Sequence, residues 1–259
     1  MENKNPQEKN FTISNYLAKV QDIIGVIALL LSMIQNAISF LSPKYFLIIS
    51  GIILILEFFT EYFQGVNFDQ GHYIRETTLL DNSFNEKRIP NYNGNVYFNN
   101  DSIVAGEIKL LANIHESALF TSKVTEKMAI KYYFVSIIAL TFFIIKLFFS
   151  GMDDYTSILL SFILSFSFFR RAFKINSLNK TSKEIYDSAN SICNNYELKL
   201  VNNDALQSKI LELVLKYENS LFESKIALDS KVFKAINKQT NIQWESIKKT
   251  YRIYHKNDR

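Results

Sequence analysis

Two carboxylates lie inside an otherwise uncharged apolar run. Glu57 and Glu61 are four positions apart between Tyr45 and Phe63, a spacing that places both on one face of a helix. A buried carboxylate is costly in hydrocarbon, so it normally faces a bundle interior, a partner charge or water. One interpretation is a ring of acids at the inner mouth of an oligomeric pore, which would favour cations. The alternative is that Glu61 lies where the helix leaves the membrane, and that the side chain of Glu57 snorkels towards the same membrane surface.

Small polar residues form stripes in two other apolar runs. They are Ser32, Gln35, Asn36 and Ser39 in the first run, and Ser157, Ser161 and Ser165 in the fourth. Such stripes either mediate close helix packing or line a water-filled pathway. Because one four-helix protomer is too narrow to enclose a channel, a pore would require a homo-oligomer, a trimer or larger with a tetramer favoured.

A second group of residues has the chemistry to bind a nucleotide. Phosphate groups would bind the cations Arg75, Lys87 and Arg88, or the basic tail; bases would stack on Tyr92, Tyr97 or Trp244. From residue 170 onward, 17 Lys and Arg stand against 10 Asp and Glu. The alternative for each of these positions is solvated surface, and for the tail also the positive-inside bias of membrane proteins.

Residues typical of a soluble enzyme are sparse. His72, His115 and His255 have no metal-ligand spacing with Cys or carboxylate residues. With seven Gly in the whole chain there is little room for a Gly-rich phosphate loop. We therefore expect no enzymatic activity, no metal and no cofactor. Cys193 is the only cysteine, which excludes an intramolecular disulfide and favours a reducing compartment.

The elements that must position these residues are four apolar runs arranged as two hairpins. The runs are Ile23 to Leu41, Tyr45 to Phe63, Tyr132 to Phe149 and Tyr155 to Phe169. A membrane-spanning helix needs about 20 apolar residues, or fewer when flanking residues snorkel. The sequence therefore predicts an all-α integral membrane protein with two transmembrane helical hairpins, at residues 23–63 and 132–169.

The distribution of charge predicts the orientation. The hairpin tips carry only Lys44 among cations, whereas the insert between the hairpins and the tail are rich in Lys and Arg. Cytoplasmic flanks collect these residues, so we expect both termini, the insert at 64–131 and the tail at 170–259 to be cytoplasmic. The expected location is the inner membrane of a bacterium.

The polar segments show helical rather than alternating periodicity. Residues 1–22 form a short amphipathic N-terminal segment, and residues 67–80 look like an extension of the second membrane helix. A helix capped by Asp101 and Ser102 is expected to begin at Ile103. The tail should form amphipathic helices over 178–196 and 206–228, and a last helix carrying residues 242–253.

This arrangement resembles the four-transmembrane pore-forming effectors of bacterial anti-phage defence, of the CBASS and Hailong types. The local resemblance is to an Arg…Asp-Asn-Ser-Phe…Pro-Asn stretch, present here from Arg75 through Asp81-Asn82-Ser83-Phe84 to Pro90-Asn91. The resemblance implies a pore-forming effector that is functionally paired with a nucleotidyltransferase and opened by a nucleotide second messenger such as an oligonucleotide. The resulting ion flow would depolarise the membrane.

Two other functions remain open. The first alternative is a membrane-anchored receptor or scaffold whose cytosolic helices bind a partner protein without conducting ions. The second is a membrane enzyme or transporter. Ion flux and toxicity on overexpression would distinguish a pore from a scaffold.

Overall fold

A computed structural model of the chain describes residues 7–38, 40–89, 97–98, 100–152, 167–200 and 202–255. Within these ranges the protein is all-helical, with six α-helices and no strand. The helices are α1 (Glu8–Ile38), α2 (Pro43–Phe84), α3 (Glu107–Ser150), α4 (Ser167–Glu197), α5 (Asn203–Ser224) and α6 (Ser230–Thr250). A short 3-10 helix, Arg252–Tyr254, follows α6.

The ends of several helices are set by residues with suitable local chemistry. Pro43 lies in the first turn of α2. It has no N–H group, but N–H groups in the first turn have no acceptor within the helix, so no hydrogen bond is lost. The side chain of Asn202 accepts a hydrogen bond from the Ala205 backbone N–H at 2.8 Å and so caps α5. Asp229 caps α6 in the same way through the N–H groups of Lys231 and Val232. These caps set where α5 and α6 begin.

Three helices, α1, α2 and α3, are long and apolar enough to span a membrane. Their apolar segments expose large side chains, such as Leu47, Ile55, Phe58 and Ile144, which is the surface expected of helices surrounded by lipid. The predicted fourth span, Tyr155 to Phe169, lies mostly outside the described residues. Its membrane crossing therefore stays a prediction.

The candidate membrane-spanning helices α2 and α3 continue without interruption into a helical bundle made from the polar segments. At 1.5 Å per residue, α2 with 42 residues is about 63 Å long and α3 with 44 residues about 66 Å, twice the roughly 30 Å of a hydrocarbon core. In the bundle, α3 packs mainly on α4 and α6, and α5 packs on α4. Its core contains Leu111, Ile114, Ile175, Tyr217 and Trp244.

Three predicted boundaries differ from the structure. The N-terminal segment and the first apolar run form one continuous helix, α1. The expectation that Asp101 and Ser102 cap a helix from Ile103 was wrong, because α3 begins at Glu107, after Gly106. Gly106 has a φ of 137° and its N–H donates to the Ser83 carbonyl at 2.7 Å, so the chain turns before α3 starts. The last helix ends at Thr250, before Tyr251 and Ile253.

Candidate functional site

Three of the predicted pore-lining residues on α1 and α2, Ser32, Gln35 and Glu57, are buried within the protomer. The exposed fractions of Ser32, Gln35 and Glu57 are 0%, 0% and 5%. Gln35 has a structural role: its side-chain amide donates to the Leu41 carbonyl at 2.7 Å and accepts from the Leu41 N–H at 2.9 Å. It therefore holds the turn that follows α1. No outer surface of this protomer presents these side chains to a second subunit.

The two acids in the apolar run of α2, Glu57 and Glu61, differ in environment although they are one turn apart. Glu57 is buried among the helices, whereas Glu61 is partly exposed and forms an ion pair with Arg170 at the start of α4. Arg170 compensates the charge of Glu61. Of the two carboxylates, only Glu57 lies within the interior of the apolar region.

Two further polar residues, not predicted from the sequence, lie in the same region. Ser50 on α2 is 4% exposed and Ser136 on α3 is 1% exposed. Neither hydroxyl has a hydrogen-bond partner among the described residues. Ser32, Ser50, Glu57 and Ser136 thus come from three helices and give the apolar segment a partly polar interior. Within each helix, these residues stand three, four or seven positions from other buried residues. That spacing is the sequence signal by which they could have been found.

In the part of α2 that follows its apolar run, Arg75 makes a buried ion pair with Glu218 of α5. One guanidinium nitrogen, Nη1, donates to both carboxylate oxygens of Glu218 at 2.7 Å, and the side chains are 5% and 7% exposed. Burial lowers the pKa of Arg75, but attraction to Glu218 outweighs it, so the pKa is raised above its usual value. The guanidinium also lies 5.4 Å from the ring centre of Tyr217.

Arg75 lines a small cavity, which we call the Arg75 pocket. Its volume is about 130 Å³ and its wall includes Phe11, Phe68, His72, Arg75, Tyr97 and Tyr217. Two predicted ligand-binding residues, Arg75 and Tyr97, therefore meet here. Burial lowers the pKa of His72 in spite of the nearby Glu218. Cavities of this size hold about one aromatic ring, so the pocket as it stands is too small for a whole nucleotide.

Trp244, predicted to stack on a base, is instead part of the bundle core. Its ring is 1% exposed, and its indole N–H donates to the Asn100 side chain at 3.1 Å. In this structure the ring has no free face, which corrects that expectation. Asn100 also donates to Asn113 at 2.9 Å and to Glu116 at 2.7 Å.

The Asp81-Asn82-Ser83-Phe84 stretch anchors the loop after α2. Asn113 of α3 donates to Asn82 at 2.8 Å and to Ser83 at 3.0 Å, while the Asp81 carboxylate accepts the backbone N–H groups of Arg88 and Ile89. Asp81, Asn82 and Ser83 of this stretch are thus buried and have a structural role. The hydrogen bonds of Asn113 to this stretch could not be predicted from its spacing in the sequence alone.

The remaining predicted residues divide into two groups. Lys87 and Arg88 are both exposed, and Arg88 is paired with Glu86. Ser39, Tyr92, Ser157, Ser161 and Ser165 lie outside the described residues, as does the side chain of Asn36.

Comparison with known proteins identifies no relative. The chain matches no protein-family model, no curated protein and no solved structure. The fold and the buried clusters define the chain as an all-helical protein with candidate membrane-spanning helices. Neither the fold nor the buried clusters assign the chain to a family.

Proposed function

We propose that the protein is an oligomeric membrane effector that forms a ligand-gated ion channel or pore. In this proposal it acts in the inner membrane of a bacterium, as a four-pass protein with both termini cytoplasmic. A nucleotide second messenger from a paired nucleotidyltransferase opens it during anti-phage defence. The resemblance described above supports the ligand and the biological setting, and the geometry of α2 supports the gating.

The observation that carries the proposal is the continuity of α2 between two buried charged residues. Glu57 and Arg75 are eighteen positions apart on one unbroken helix. Eighteen residues make five turns, so both side chains lie on the same face, about 27 Å apart along the axis. A ligand that changes the packing of Arg75 therefore acts on the helix that positions Glu57.

Gating needs only a difference in ligand affinity between two arrangements of the bundle. Ser32, Ser50, Glu57 and Ser136 are buried between helices of one protomer, which suits a closed form. In the proposed open form, rotation of α2 within the oligomer places Glu57 in the wall of a water-filled pathway. A carboxylate there attracts cations and repels anions.

The test is ion flux from the full chain reconstituted in liposomes, with and without cyclic dinucleotides and trinucleotides. We expect nucleotide-dependent flux that favours potassium over chloride. Glu57→Gln should lower this preference, because it removes the charge and keeps the size of the side chain. Glu76→Gln, an exposed position on the same helix, is the matched control and should behave as the unchanged protein. Absence of flux with every nucleotide would refute the channel proposal.

A second candidate, the membrane-anchored receptor or scaffold, is favoured by one surface feature. The outer face of α5 exposes Leu211, Leu215 and Phe222, with exposed fractions of 58%, 55% and 48%. Their spacing of four and seven places them in one stripe, which suits binding of a partner helix. A scaffold predicts no flux and no toxicity on overexpression, and loss of partner binding when Leu211 and Leu215 are changed to Ser.

A further inference from the structure

A second cavity lies where the apolar segments meet the bundle. Its volume is about 290 Å³, at the lower end of the range for small-molecule sites. Four cations line it: Arg170, Arg171 and Lys174 from α4, and Lys225 from the turn after α5. Glu61 and Asp69 of α2 also line it. We call this cavity the juxtamembrane basic pocket.

Three of the four cations are already paired with carboxylates. The pairs are Arg170 with Glu61, Arg171 with Asp22 at 2.9 Å, and Lys225 with Asp69 at 2.7 Å. Lys174 has no carboxylate or hydrogen-bond partner among the described residues. The pocket therefore carries one positive charge more than its acids compensate.

The position of Lys174 makes this surplus charge unfavourable in the empty pocket. The side chain is half-buried, and burial is the main reason why the pKa of Lys174 is lowered. Arg170, Lys225 and Arg171 lower it further, while Glu61 opposes them. An anion between these cations would remove the repulsion and would regain charge-assisted hydrogen bonds.

The pocket lies at the depth of lipid headgroups if the apolar segments span a bilayer. Glu61 is in the last turn of the apolar run of α2, and Arg170 directly follows the fourth run. Large aromatic side chains at this level are exposed: Tyr62, Phe63 and Phe173, by 59%, 52% and 63%. Aromatic residues at such positions mark the membrane–water interface.

We propose that the juxtamembrane basic pocket binds a phosphate group through Lys174 and its neighbouring cations. The phosphate belongs either to an anionic phospholipid headgroup or to a soluble nucleotide. This goes beyond the channel proposal, because the site would bind phosphate in a protein that conducts nothing.

The test measures binding to the full chain in a neutral detergent by calorimetry, with two probes. Dioctanoyl phosphatidylglycerol represents the lipid source, and cyclic di-adenylate represents the soluble source. Loss of one charge-assisted contact should weaken binding about tenfold or more in Lys174→Gln. Lys174→Arg keeps the charge and should bind nearly as the unchanged protein does. Lys180→Gln, at an exposed position on the same helix, controls for a general loss of positive charge.

A second measurement separates a binding role from a structural one. Because charged Lys174 is repelled in the empty pocket, Lys174→Gln should melt at the same temperature as the unchanged protein or a higher one, while it binds phosphate less well. Lys174→Met keeps the aliphatic stem and provides a second uncharged variant if the Gln variant fails to fold. Saturable binding of either probe that depends on Lys174 supports the site and identifies the source.

Two results would overturn the proposal. One is that neither probe binds the unchanged protein. The other is that the uncharged Lys174 variants bind as tightly as Lys180→Gln, which would mean attraction by overall charge alone. Neither result depends on ion flux, so failure of this site and failure of the channel proposal are distinguishable.

Discussion

Breaking the buried Arg75–Glu218 ion pair should destabilise the helical bundle more than breaking an exposed ion pair does. Arg75→Met keeps an unbranched apolar stem and removes the charge, which leaves Glu218 buried without its partner. Glu218 is 6% exposed, so water can compensate little of this loss. Removing one partner of a buried pair typically costs about 3–5 kcal/mol, and we expect a decrease of this size in the free energy of unfolding.

The double variant Arg75→Met with Glu218→Leu distinguishes the pair from its surroundings. Both buried charges are then absent, and apolar side chains of similar size fill the space. Replacing a whole buried pair in this way is often neutral or stabilising, so the double variant should lie within about 1 kcal/mol of the unchanged protein. Lys183→Met is the control, because Lys183 and Glu126 form an ion pair at 3.0 Å with both side chains 49% exposed. Such a pair contributes about 0–1 kcal/mol.

The chain offers a built-in probe for this measurement. Trp244 is the only tryptophan, and it is buried in the bundle. Its fluorescence emission should shift to longer wavelength when the bundle unfolds in urea, with the full chain kept in a neutral detergent. The reasoning is refuted if Arg75→Met costs no more than Lys183→Met, or if the double variant is as unstable as the single one.

Four further predictions concern topology, oligomeric state, packing and pH. Reporters fused at Asn93 and at the C-terminus should both be cytoplasmic, because Lys and Arg collect in the insert and the tail; a periplasmic signal from either would contradict the four-pass topology. Chain purified in mild detergents should be a trimer or larger by mass photometry, and a monomer in all of them would contradict the oligomeric pore. Gly71→Ala places a Cβ 3.2 Å from Asn10 and from the ring of Phe11; the tryptophan readout should show a loss of about 1–3 kcal/mol, and no loss would mean that α1 shifts freely. Burial raises the pKa of Glu116 from 4.5 to about 7, so the folded state takes up a proton before the unfolded chain does. Stability should therefore rise as the pH falls from about 7 to about 4.5, and Glu116→Gln should be more stable at pH 8 and lose this dependence; an unchanged dependence would assign it to another group.

Much of the fold follows from patterns that are local in the chain. The apolar runs are long enough to specify the membrane-spanning candidates α1, α2 and α3, and the extension of α2 past Gly65 was correctly predicted from helical periodicity. The two tail helices were predicted because hydrophobic residues recur every three or four positions, as at Leu206, Ile210 and Leu213. The start of α3 was not, because Asp101 and Ser102 provide a capping signal that the turn at Gly106 overrides.

The candidate site depended on contacts between residues that are distant in the chain. The sequence alone shows that Glu57 is unusual for its position in an apolar run, and it identifies Arg75 and the cations after residue 169 as possible phosphate ligands. Only the tertiary structure pairs Arg75 with Glu218, 143 residues away, and brings Lys225 to Lys174. The physical reason is that periodicity determines which face of a helix is buried, whereas the partner of a buried charge is determined by how the helices pack.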